Sequence, residues 1–204
     1  MNNATADFNR RLVEIQEYVS HLEQMEQQIG IAPSLMSTMK ASAVLMIYNM
    51  TESTMTNIAQ AVFDHLQQTN INLSTLNDTM KVLVIKNIKK RDPKKLVEKM
   101  RASSLDISIA SFERSDVFSG NVDSEKIRKS LAEFGVIRPG KFTEAVLLEI
   151  KTARNDLAHG TKSFSDAGRN YTARDLKIKL TKVENVLNRA LSTYQNYIQT
   201  SAYA

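Results

Sequence analysis

From Ser34 to Gln68 the chain meets neither glycine nor proline, the two residues that most readily interrupt a helix. Apolar side chains crowd this stretch, among them Met39, Ala43, Leu45, Met46, Ile47 and Met50. The pattern predicts one long helix that is apolar on more than one side and therefore interior. Methionine suits such a place, because its unbranched side chain fills irregular gaps in a core. Within it, Tyr48-Asn49-Met50-Thr51-Glu52-Ser53 brings polarity into an apolar run. Burying Glu52 without a partner would be costly. Either it meets a basic residue such as Arg154, or it faces solvent.

Amphipathic segments surround this one. Leu12, Ile15, Val19 and Leu22 recur at three- and four-residue steps and predict a surface helix over Asp7 to Ile29, punctuated by Gly30 and Pro33. Asn70 to Ser74 reads as a loop, Leu76 to Lys90 as a helix, and Asp92-Pro93 as the start of a short helix to about Ala102, with a cap and a first-turn proline. Over Ser103 to Asn121 the helical period fails. Leu105, Ile107 and Ile109 alternate briefly, as in a short strand or an extended loop. Asp123 or Ser124 caps a helix through Phe134 that ends at Gly135, and Pro139-Gly140 leads into the next one. Gly160 to Tyr171 reads as a polar loop with Phe164 as its one large anchor. Thr172 and Asp175 resemble a capping pair ahead of a last helix with Leu176, Leu180, Val183, Leu187, Leu191, Tyr194 and Ile198 on one stripe. The expected fold is all-α, a single-domain bundle of at least five helices with little or no sheet and an irregular insertion around 103–121.

Composition narrows the chemistry. The chain has no cysteine and only three histidines, His21, His65 and His159, none within a helical turn of another, so a zinc site of usual ligands is not expected. No cofactor is called for. No apolar run is long enough to span a bilayer, and the first residues lack the pattern of a signal peptide, which makes a cytoplasmic address the default expectation. Positive charge is concentrated over residues 81–101, where nine lysines and arginines face only Asp92 and Glu98. Such a block, with Lys89, Lys90 and Arg91 at its centre, attracts a nucleic-acid backbone or forms a solvated face; it lacks interleaved aromatic residues for base stacking.

The stretch with the clearest chemical content is Lys151-Thr-Ala-Arg-Asn-Asp-Leu-Ala-His-Gly160. Val146, Ile150, Ala153 and Leu157 form an apolar stripe, so the segment is helical and that stripe faces a core. Gly160 serves as the C-terminal stop. Arg154 and His159 then lie near the end of the helix, about 140° apart around an undistorted axis. They converge on one phosphate only if the helix loosens before Gly160. A histidine exchanges protons near neutral pH and an arginine holds phosphate oxygens, a pairing suited to RNA, which carries its own 2′-hydroxyl nucleophile. Asn155 can orient the phosphate or the imidazole, and Glu52 can hold Arg154. Lys162 lies beside the site as a possible RNA contact.

Arg154-Asn155 followed by His159, the preceding helix with Tyr48-Asn49 and Ser53, and the later Ser163-Phe164 and Gly168-Arg-Asn-Tyr-Thr172 resemble the HEPN superfamily. The arginine, four intervening residues and the histidine match its Arg-x(4 to 6)-His signature. The resemblance runs from about Phe8 to Tyr197 and is looser over Ser103 to Asn121. It is greatest to stand-alone bacterial members of toxin–antitoxin and phage-defence systems. It implies a metal-independent endoribonuclease acting on RNA, with a site assembled across a homodimer and an antitoxin or other defence protein as a partner. Thr161 stands where one branch of the superfamily has a modified tyrosine, so that modification is not carried over. Two other readings stay open: a catalytically silent HEPN domain that binds RNA or a protein, and a helical interaction protein whose Arg154 and His159 are a solvated pair favoured by the helix dipole.

Overall fold

The computed structural model describes residues 1–116, 118, 121–136 and 145–204. Its helices are α1 (Asn2–Met25), α2 (Pro33–Gln68), α3 (Asp78–Ile88), α4 (Pro93–Ser103), α5 (Ile107–Ala110), α6 (Ser124–Glu133), α7 (Ala145–Ala158), α8 (Phe164–Gly168) and α9 (Ala173–Gln199). Short 3₁₀ turns cover Leu73–Thr75 and Arg114–Asp116, and no strand occurs among the described residues. Pro139-Gly140, expected to lead into α7, lies outside the described residues.

The long unpunctuated stretch is a single helix of 36 residues, about 54 Å at 1.5 Å per residue. α1, α7, α8 and α9 all pack on it. It buries Val44, Ile47, Tyr48, Met50, Met55, Ile58, Val62 and Phe63, which accounts for apolar residues on several of its faces. α1 presents the expected stripe, with Leu12, Ile15, Val19 and Leu22 buried, and starts earlier than expected because Ala4 and Phe8 extend the stripe by two turns. It also stops earlier, at Met25. Ile29 is fully exposed, so no apolar contact supports another turn. The α9 stripe is buried from Leu176 through Tyr194. Farther on Tyr197 turns inward, whereas Ile198 is only partly covered. Thr172 and Asp175 form a reciprocal capping box at the start of α9.

Two stretches differ from their sequence reading. The alternation of Leu105, Ile107 and Ile109 is not a strand: residues 107–110 make one helical turn, because Asp106 accepts hydrogen bonds from the N–H groups of Ser108 (2.9 Å) and Leu73 (3.1 Å). The loop expected between Gly160 and Tyr171 contains α8, capped by Ser163. Phe164 is not its anchor, being 39% exposed. The anchor is the smallest residue present. A Cβ built on Gly168 would lie 1.7 Å from the carbonyl oxygen of Ser37, so α8 lies backbone-to-backbone against α2.

Asp7 stitches α1 to α2. Its carboxylate accepts hydrogen bonds from Arg11 (2.8 Å), Ser53 (3.1 Å) and Asn57 (3.0 Å), and from Arg10. Burial pushes this carboxyl up, but the bonds from Arg11, Arg10 and Ser53 outweigh burial and hold its pKa at about 2. A depressed carboxylate contributes stability that is present above its unfolded value of 3.8 and lost as pH falls through about 2. Asp7→Asn should therefore lower stability at neutral pH and flatten the loss of stability between pH 4 and pH 2, read from urea unfolding at each pH. Gly168→Ala forces a methyl group onto backbone, and a loss of about 1–3 kcal/mol in unfolding free energy is expected, as for other overpacked contacts.

Candidate active site

α7 enters the bundle through Val146, Leu147 and Ile150, which are buried, while Ala153 and Leu157 on the same stripe are half-buried. The register is the expected one, and burial fades toward the end of the helix that carries Arg154 and His159. Arg154 lies over the face of Tyr48, its guanidinium carbon 5.1 Å from the ring centroid, within the range of a cation–π contact. The same guanidinium donates to the Asn155 side-chain oxygen at 3.1 Å. Tyr48 is itself fully buried in α2. Burial pushes its hydroxyl above the ordinary tyrosine range, with the neighbouring Glu52 carboxylate adding to the rise and the Val122 N–H and Arg154 opposing it. Glu52 and Arg154 thus meet on one tyrosine, the carboxylate by the hydroxyl and the guanidinium above the ring.

Three consecutive residues close the site from the side. Asn121 accepts a hydrogen bond from Asn155 at 3.4 Å. The Val122 N–H donates to the Tyr48 hydroxyl at 3.1 Å. Asp123 caps α6 through the Lys126 N–H at 2.9 Å and also receives the Lys151 ammonium of α7. Burial raises the Asp123 carboxyl, but Lys151 and the capping N–H prevail and hold it below the usual range. Asparagine, valine and aspartate at these positions form a clamp between α2, α6 and α7.

His159 lies just past α7, exposed and without a hydrogen bond from its ring to any described residue. The helix does not loosen ahead of it: the His159 N–H still donates to the Asn155 carbonyl at 3.0 Å. The turn comes one residue later, at Gly160 (φ 68°), and the Thr161 N–H closes it on Asp156 at 2.9 Å. Within one chain, therefore, the imidazole and the guanidinium are not bonded to each other. Lys162 bends back to Asp156 at 2.7 Å.

The basic block is divided in its use. Arg91 is largely buried and donates to the Ser111 carbonyl at 2.9 Å, with Asp116 and Glu113 (3.5 Å) around it. It holds the 111–116 segment in place rather than offering its charge outward. Lys89 and Lys90 are exposed, Lys90 standing 3.7 Å from Asp116. They line a cavity whose floor includes Phe63, fifteen residues along α2 from Tyr48, or about 22 Å. Beside the site, a cleft of about 710 Å³ is bordered by Asn49, Glu52, Arg11 and Arg114. Sequence reading gave no role to Tyr48 as a seat for Arg154, or to Arg11, Arg114 and Asn121; the polarity around Tyr48 was the one local signal for any of them.

A family model described as HEPN_MAE_28990-like HEPN matches residues 2–203. The chain belongs to this HEPN family, and its all-helical fold agrees with that membership. Comparison with curated proteins and with solved structures finds no match.

Tyr48→Phe keeps the ring beneath Arg154 but strands the buried Val122 N–H. It should lower unfolding free energy by about 1–3 kcal/mol, measured by denaturant titration.

Proposed function

We propose that this HEPN protein is a metal-independent endoribonuclease that cuts RNA by attack of the 2′-hydroxyl, acts as a homodimer in the cytoplasm, and serves as a toxin or defence effector. The observation that carries the reading is the pairing on one helix end of a seated arginine, Arg154 on Tyr48, with an open imidazole, His159. HEPN domains often are ribonucleases and commonly dimerise and bind RNA.

In the proposed reaction the 2′-oxygen bonds to phosphorus as the bond from phosphorus to the 5′-oxygen breaks. One His159 takes the proton of the 2′-hydroxyl, and the partner subunit's His159 delivers a proton to the departing 5′-oxygen. A single chain has one such imidazole, and it does not reach its own Arg154, so a two-fold dimer supplies both the second proton carrier and the second guanidinium. Arg154 holds the non-bridging oxygens as charge accumulates on them. Tyr48 and Glu52 fix where Arg154 points, and Asn155 steadies it from the side. Lys162 is a backbone contact once Asp156 yields it, and Lys89 and Lys90 contact the strand farther away; Arg91 supports the segment behind them.

Purified protein incubated with RNA in EDTA should release fragments ending in 2′,3′-cyclic phosphate and 5′-hydroxyl, and DNA should resist. His159→Ala and Arg154→Ala should each lower the rate on the order of a hundredfold or more while leaving the fold intact. Undiminished cleavage by folded, contaminant-free His159→Ala would rule the mechanism out.

A further inference from the structure

α6 is ten residues long, about 15 Å. Its first end is capped by Asp123, which also holds Lys151 of α7, and Ser130 and Glu133 near its other end line a separate cavity of about 390 Å³ between α2, α3 and α6. That volume falls at the small end of ligand sites, which run from about 300 to 1,000 Å³. Phe63, Phe112, Phe134 and Leu83 make the walls apolar, with Phe63 and Phe112 stacked at 3.9 Å between centroids. One lining group does not belong in an apolar wall. Asn87 is only 4% exposed, yet its side-chain amide makes no hydrogen bond with any described residue. A primary amide lining a cavity offers a donor and an acceptor side by side.

The rim carries three lysines, Lys86, Lys89 and Lys90, against two carboxylates, Asp116 and Glu133. Lys89 forms no ion pair with a described residue. Lys90 is a distant second partner of Asp116, whose nearer partner is Arg91, and Lys86 holds Glu133 at 3.2 Å in an exposed pair that costs little to open. Apolar walls, one amide without a partner among the described residues and lysines at the mouth define a flat heteroaromatic ring with hydrogen-bonding edges and an anionic group attached. We propose that this cavity takes an unstacked nucleobase, with its phosphate on Lys89 and Lys90. The base can belong to an RNA strand, an assignment that rests on the ribonuclease reading, or to a free mononucleotide, which does not depend on it. On a strand, the distance of about 22 Å from Tyr48 to Phe63 along α2 corresponds to roughly six or seven stacked nucleotides, so the cavity would read a base at that distance from the bond being cut.

The test uses the full chain carrying His159→Ala, so that RNA survives, and follows a fluorescein-labelled single-stranded RNA octamer by anisotropy and adenosine 5′-monophosphate by calorimetry. Asn87→Leu and, separately, Lys89→Gln with Lys90→Gln should weaken octamer binding tenfold or more, with unchanged melting profiles. Binding of the mononucleotide alone, lost in both variants, assigns the cavity to free nucleotide; octamer binding without mononucleotide binding assigns it to RNA. Octamer and mononucleotide affinities unaltered by Asn87→Leu overturn the proposal, even if the lysine variant weakens binding. If Asn87→Leu fails to fold, Asn87→Ser takes its place: weakened binding supports the proposal and unaltered affinity overturns it. A protein that never cleaves RNA but binds the mononucleotide through Asn87 overturns only the ribonuclease reading.

Discussion

Everything near Arg154 depends on one buried tyrosine. Tyr48 sits in the most enclosed helix of the bundle, gives its ring to the Arg154 guanidinium, accepts the Val122 N–H and adjoins Glu52. A guanidinium on a long flexible stem would otherwise sample many rotamers, and each costs entropy to fix. Seating it on a ring that cannot itself move transfers the rigidity of α2 to α7. The position of the arginine is thus set by the packing of a helix far from it in sequence.

The helical frame was legible because its signals are local. Stripes at three- and four-residue spacing gave α1, α7 and α9, and Thr172 with Asp175 announced the start of the last helix. α8 escaped notice because five residues cannot display a period and its anchor is a glycine, which has no side chain to read. The clamp at Asn121, Val122 and Asp123 was equally hidden: its partners, Tyr48, Asn155 and Lys151, lie tens of residues away, and only Asp123 had a local role as a cap.

The basic block shows where sequence reading of charge stops. Nine cations in a row of helices look alike as letters, but the fold sorts them by neighbour. Arg91 and Lys99 turn inward to the carbonyls of Ser111 and Phe112, so they act as braces for the segment leading to the clamp. Lys89 and Lys90 remain outside. Charge counting also could not tell that these lysines lie by the last turn of α6 while Asp123, ahead of its first turn, holds Lys151 of α7.

The clamp has a consequence for how the protein loses its order. Residues 121–123 hold α7 to α2 through a few side-chain and backbone bonds, whereas the bundle itself is held by continuous apolar burial. Opening of such a segment is a local event with its own free energy, below that of global unfolding. Amide exchange at Val122 reports the site, and exchange in the middle of α2 reports the fold.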